Sequence, residues 1–246
     1  MGARRALVTG GGRGIGLAIA RALSDAGHDV TIAGRTAATL ERAVASGAAK
    51  AWRVVDVTDA SPLAAAIDAA GPFDILVNNA GGVESAPLAR TDIELLRRMM
   101  ALNVESALTA TRAVLPGMVE RGFGRIINLA SIAAVRGYAY VAAYCAAKHA
   151  LLGLTRAAAA ELVRTGVTVN ALCPGYTDTD LVAESAGRIA AKTGRGADEA
   201  IAAMVAENPI GRLIRPDEVA AAALWLCSDA GGAVTGQAIV IAGGDV

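Results

Sequence analysis

Short aliphatic and β-branched runs alternate along this chain with Ala-rich runs of helical period, and few folds accept that alternation. Strand-like runs cover residues 5–9, 29–33, 51–55, 74–77, 125–129, 167–172 and 237–241. Helical runs fall between them at 15–26, 36–46, 61–70, 93–120, 140–164 and 216–227. Gly27 and Gly47 read as stop signals, and Pro216 stands at the first turn of its helix. Strands separated by helices predict an α/β chain with a seven-stranded, doubly wound parallel sheet. Strands covered on both faces should be continuously apolar, as Ile75-Leu76-Val77 and Ile126-Ile127 are. No linker, composition shift or repeat divides the 246 residues, so one domain over 1–246 is expected.

One stretch breaks the rhythm. Residues 179–209 are longer than an ordinary helix–strand connection and hold helical runs at 181–192 and 198–206, parted by Thr193-Gly194-Arg195-Gly196. A long insertion after the C-terminal end of a strand is where a lid over an active site would sit.

Composition removes several classes of function. Hydrophobic residues make up 54% and aromatics 3%, so the core is aliphatic. Basic and acidic residues number 23 each, with no basic stripe, which argues against nucleic acid as a partner. No apolar run reaches the roughly 18 residues a membrane span needs. A strand opening at residue 5 leaves no room for a signal peptide, and Ala6 does not suit Met1-Gly2 as a myristoylation start. Cys145, Cys173 and Cys227 are too scattered for a metal or redox motif. The expectation is a cytoplasmic protein with reduced cysteines and no metal.

Thr9-Gly10-Gly11-Gly12-Arg13-Gly14-Ile15-Gly16 follows the first strand and opens the first helix. Glycines there let the backbone approach a pyrophosphate, and the helix N-terminus offers N–H donors. The glycines at 10, 14 and 16 are spaced GxxxGxG rather than GxGxxG; the plainer reading is a glycine-rich turn. An NAD site carries an acidic residue at the tip of the second strand. Here the tip reads Ile32-Ala33-Gly34-Arg35 and offers no carboxylate. Arg35 and Arg13 would instead meet a 2′-phosphate, favouring NADP(H) over NAD(H). The alternative is that both are solvated surface arginines.

Tyr144 and Lys148 stand four apart in a helix-compatible run, on one helix face. A cation there would lower the tyrosine's pKa from about 10 and make it a proton-transfer group. A purely structural pair has the same spacing.

Taken together, these motifs resemble the short-chain dehydrogenase/reductase family over the whole chain. The loop from Thr9 to Gly16 is similar to the family's TGxxxGIG. Asp56, with Val57 beside it, resembles the residue that bonds the adenine amino group. Asn78-Asn79-Ala80-Gly81 matches the run that ends the fourth strand and steadies the cofactor pocket. Asn103, in Leu102-Asn103-Val104, resembles the active-site asparagine. Ser131 lies 13 residues before Tyr144, the family's usual interval. Pro174 and Gly175, with Thr177 and Thr179, resemble the element that closes over the nicotinamide.

The resemblance implies a single-domain Rossmann fold with helices on both faces of its sheet, and a catalytic set of Asn103, Ser131, Tyr144 and Lys148. Tyr144 would pass a proton to or from the substrate oxygen. Lys148 would lower its pKa and hold the nicotinamide ribose. Ser131 would hydrogen-bond the substrate oxygen, and Asn103 would hold a water linking Lys148 to solvent. It also implies a homotetramer, with the helices over 93–120 and 140–164 pairing between subunits.

Substrate choice is less legible. Gly82, Val83, residues 132–137, Tyr138, Tyr140 and the lid are expected to line the pocket. Arg136 is the notable charge, able to bind an anionic tail or to face solvent. The C-terminal half is most similar to β-ketoacyl reductases and to 3-hydroxybutyrate dehydrogenases. That implies a 3-oxoacyl or 3-hydroxyacyl group, as a CoA or carrier-protein thioester. The alternatives are a secondary or cyclic alcohol dehydrogenase and a catalytically silent NADP(H) sensor. A silent sensor would be expected to have lost Ser131, Tyr144 or Lys148, and all three are present.

Overall fold

The computed structural model describes residues 2–193 and 196–245; Gly194 and Arg195 of the expected lid turn lie outside the described residues. Strand β1 (Arg5–Thr9) leads into helix α1 (Gly14–Asp25), and β2 (Asp29–Gly34) into α2 (Ala37–Ala45). Next come β3 (Ala51–Val54), α3 (Ala60–Ala70) and β4 (Ile75–Asn78). Helices α4 (Ile93–Met100) and α5 (Ser106–Glu120) follow, joined by a π-helical turn, Ala101–Glu105. Strand β5 (Gly124–Leu129) precedes α6 (Ala142–Leu162), and β6 (Val167–Pro174) precedes α7 (Asp180–Thr193) and α8 (Ala197–Glu207). Helix α9 (Pro216–Cys227) and β7 (Ala238–Ile241) complete the series.

All seven strands pair in parallel in one sheet, in the order β3-β2-β1-β4-β5-β6-β7. The chain winds outward from β1 to β3, then returns to place β4 on the other side of β1. Connections leave in opposite directions at that junction, which opens a crevice at the C-terminal strand ends.

Successive strand residues face opposite sides of the sheet. Val8, Ile32, Val77 and Ile127 therefore pack with Ile19 and Leu23 of α1 and Leu226 of α9. Their neighbours Leu7, Leu76 and Ile126 pack with Leu63 of α3, Val114 of α5 and Leu162 of α6 on the other side. Helix α1 buries Gly16, Ile19, Ala20 and Leu23, a spacing that keeps one stripe against the sheet. Truncating a fully buried member such as Leu23 to Ala would cost about 2–5 kcal/mol.

The single helix expected over 93–120 is interrupted, and Asn103 supplies the physical reason. Its Nδ2 donates to the Met99 carbonyl at 3.0 Å, four residues back, and to the Gly82 carbonyl at 3.1 Å. Such a side chain competes with the helical ladder and loosens it into a π turn. Strand β6 also runs two residues beyond the expected 167–172, because Cys173 and Pro174 continue the pairing with β7.

Candidate active site

Above the β1/β4 junction lies a cleft of about 1620 Å³. The phosphate loop forms one end. Gly10, Arg13, Gly14, Ile15 and Gly16 all line it. Gly14 takes a φ of 54°, which favours glycine, and a Cβ on Gly16 would fall 2.4 Å from the Gly10 carbonyl oxygen. The backbone can thus come close to a bound group at the mouth of α1, whose N-terminus is free to receive an anion. This cradle fits a dinucleotide pyrophosphate.

Neighbouring strand ends hold that loop in place. The Thr9 hydroxyl accepts from the backbone N–H groups of Asn79 and Ala80 at 3.0 and 3.1 Å. The Asn79 amide donates to the Thr9 and Gly10 carbonyls at 2.9 and 3.2 Å. Asn79, Ala80 and Gly81 line the cleft beside it. Behind them a buried polar chain crosses the core: Asn78 donates to Asn128 at 2.8 Å, and Asn128 to Thr155 at 2.8 Å. This network ties β4 to β5 and α6, and no sequence motif spells it out. The signal for it was there, because an asparagine in an otherwise apolar strand must find a partner.

Arg35, Asp56 and Val57 line the next part of the cleft. Arg35 sits just past β2, with no carboxylate at the strand's tip and its guanidinium 3.9 Å from Asp56. Asp56 accepts from the Thr58 N–H and hydroxyl at 2.9 and 2.7 Å, and these bonds hold its pKa below the usual carboxylate value. Arg13 reaches toward the lid instead: it donates to Glu184 of α7 at 2.9 Å and stands 4.0 Å from Asp180. The short spacing that makes Arg13 a phosphate candidate gave no hint of this carboxylate 171 residues away.

Ser131, Tyr144 and Lys148 meet in the same cleft. Ser131 follows β5, and its hydroxyl accepts from the Ala133 N–H at 3.1 Å, which caps a short 3₁₀ turn. Tyr144 and Lys148 project from the first turns of α6. Burial pushes the Tyr144 phenol up to about 12, and a hydrogen bond with Ser131 works in the opposite direction. Lys148 is 4% exposed and donates to the Leu129 carbonyl at 2.7 Å. Burial brings its pKa down to about 8. Its Nζ lies 5.6 Å from the Tyr144 ring centre. In this geometry desolvation, not the lysine's charge, sets the direction of the tyrosine's shift.

Asn103 is the one expected catalytic residue that does not line the cleft. It is 2% exposed, directly behind the wall, and its Oδ1 accepts from the Gly82 N–H at 3.3 Å. Its amide therefore clamps the loop after β4, next to Lys148. At the other end, Pro174, Gly175, Thr177 and Thr179 line the cleft, and Thr179 packs over Gly14. Gly82, Val83, Ile132, Ala133, Arg136, Gly137, Tyr138 and Tyr140 also line the cleft, while Ala134 and Val135 of the expected 132–137 run do not. Arg136 neither faces solvent alone nor waits for an anion, because Asp245 accepts from it.

The cleft thus joins a dinucleotide cradle to a serine–tyrosine pair beside a buried lysine. The chain is similar to several known proteins. A family model described as enoyl-(acyl carrier protein) reductase matches residues 10–245. A galactitol 2-dehydrogenase (L-tagatose-forming) of Cereibacter sphaeroides is 41% identical, over 97% of this chain and 93% of that protein. A D-β-hydroxybutyrate dehydrogenase of Cupriavidus necator is 38% identical, over 95% and 94%. Among solved structures, a variant of actinorhodin polyketide ketoreductase with NADPH superposes with a TM-score of 0.93 at 36% identity, covering 99% of this chain and 97% of that one.

Proposed function

This chain belongs to the short-chain dehydrogenase/reductase family, and from that premise we propose that it is an NADP(H)-dependent oxidoreductase acting on a 3-oxoacyl or 3-hydroxyacyl thioester. It interconverts a ketone and a secondary alcohol. The observation that carries the reading is that Ser131, Tyr144 and Lys148 line the same cleft as the phosphate loop.

A bound nicotinamide supplies or accepts the hydride. The chain's own residues handle the rest. Tyr144, protonated at neutral pH, gives its phenolic proton to the carbonyl oxygen as negative charge builds there. Ser131 donates a hydrogen bond to the same oxygen and holds it against the phenol. Lys148, with a pKa near neutrality, exchanges a proton readily and offers N–H donors to a ribose hydroxyl. Asn103 keeps the Gly81–Gly82 backbone in register beside Lys148; the water relay assigned to it belongs to the same reading. In the oxidative direction each proton runs backward.

Arg35 supports NADP(H) as the preferred cofactor, since the tip of β2 offers no carboxylate to a 2′-hydroxyl. Asp56 and Val57 would flank the adenine, and residues 174–179 the nicotinamide. The thioester follows the actinorhodin relative and the extended cleft; 3-hydroxybutyrate and sugar alcohols are the substrates named in the other relatives. Among the described residues no helix is long and apolar enough to cross a membrane. A cytoplasmic homotetramer completes the reading, supported by exposed Ile93, Leu108 and Val119 on α4 and α5.

The test is NADPH oxidation with an acetoacetyl thioester, run beside acetoacetate, a cyclic ketone and a crotonyl thioester. Turnover of the acetoacetyl thioester is expected. Turnover of the crotonyl thioester alone would assign enoyl reduction instead. Tight NADPH binding with no turnover across the panel would leave a cofactor sensor.

A further inference from the structure

After β7 the chain turns back toward the cleft. Gly243 and Gly244 take φ values of 62° and 96°. A Cβ on Gly243 would stand 2.5 Å from a side-chain carbon of Ile210, so a larger residue has no room there. The turn delivers Asp245 beneath the cleft wall, where it is 8% exposed. Both of its carboxylate oxygens are engaged. Arg136 Nη1 donates to Oδ1, and Tyr138 Oη donates to Oδ2 at 2.9 Å. The Arg136 guanidinium also lies over the Tyr138 ring, 4.7 Å from its centre.

Arg136, Gly137 and Tyr138 line the cleft on the segment that runs from Ser131 to Tyr144. A charged group on the wall of the same cleft would ordinarily recruit an oppositely charged ligand. A buried carboxylate, in turn, must be paired or hydrogen-bonded. Asp245 answers both demands at once. The other cleft arginines stand elsewhere: Arg13 and Arg35 at the phosphate end, and Arg90 in an exposed turn after β4.

We propose that Asp245 is a specificity-determining residue: by occupying Arg136 it removes the cation from the substrate wall, so the site accepts acyl groups whose carboxyl end is esterified and rejects free carboxylates. This rests on the ketone–alcohol reading of the same cleft. It separates thioester substrates from 3-hydroxybutyrate-like acids by one ion pair. It also accounts for a charged residue on a wall that must pass an uncharged acyl chain.

Calorimetric titration of the NADP⁺-loaded protein with butanoate and with butanamide reads the selectivity without requiring turnover. Wild type should bind butanoate no better than butanamide. Asp245→Asn should shift the preference toward butanoate by about tenfold, the effect of one charge-assisted hydrogen bond. Adding Arg136→Met should abolish that gain. Asp245→Ser should shift the preference the same way, so the idea is tested even if Asp245→Asn folds poorly. An unmoved preference in Asp245→Asn, or a gain that survives when Arg136→Met is added, would overturn the assignment. A protein that reduces no ketone, yet gains butanoate binding on Asp245→Asn, would sink the reaction and leave the ion pair's role standing.

Discussion

At the scale of single residues, burial governs the chemistry of the site. Lys148 is a buried cation that donates to the Leu129 carbonyl, and burying a cation against a neutral acceptor is costly. Its pKa falls from 10.5 to about 8 on folding, so the unfolded chain holds the extra proton between those values. Stability therefore rises with pH across that window, and the penalty is fully present below it. Lys148→Met should melt at a higher temperature than wild type at neutral pH, with the difference shrinking as pH approaches 10.5. An advantage independent of pH would mean that Lys148 is not strained by its burial. Tyr144→Phe should keep NADPH binding and lose about a hundred- to ten-thousand-fold in turnover. With the phenol held near 12, reduction should vary little around neutral pH while alcohol oxidation climbs as pH rises. Profiles of kcat/KM in both directions check this, and a flat oxidation profile would remove Tyr144 as the base. These residues were legible as candidates, Tyr144 and Lys148 from their spacing and the role of each from the family resemblance. Their pKa values were not, because desolvation depends on β5 and β6 packing around the start of α6, far off in sequence.

At the scale of elements, the lid is tied to the phosphate loop before any cofactor enters. Arg13 spends its guanidinium on Glu184, so a 2′-phosphate must compete with α7 for it. Removing Glu184 should favour the phosphorylated cofactor: Glu184→Gln should tighten NADPH by about two- to fivefold and leave NADH unchanged, as suits an exposed pair. Equal changes for both cofactors, measured by fluorescence titration, would show that the lid contact and the phosphate site are independent. Replacing Arg13 and Arg35 together with Ala should weaken NADPH at least tenfold more than NADH. Equal losses would overturn the cofactor preference. Helix and strand positions were readable to within a residue or two, since each carries its own periodicity. The break at Asn103 was not, because apolar spacing runs through 93–120 while the cause is Gly82, on another loop.

At the scale of the whole molecule, the proposed assembly is four copies, with the exposed apolar residues on α4 and α5 as candidate contacts, and a monomer by light scattering would refute that. The sequence by itself determined the α/β alternation, the strand count, the phosphate loop and the Tyr144–Lys148 spacing. Those features are local: a strand's apolar run, a glycine's freedom and a four-residue helical spacing act within one element. Strand order, the Asn78–Asn128–Thr155 chain, the Arg13–Glu184 strap and the Arg136–Asp245 pair were decided only by the tertiary structure. Each joins groups that are distant in sequence, as Arg136 and Asp245 are at 109 residues apart. Sequence spacing carries no information about such encounters; the doubly wound sheet creates them by bringing the C-terminal ends of its strands to one edge.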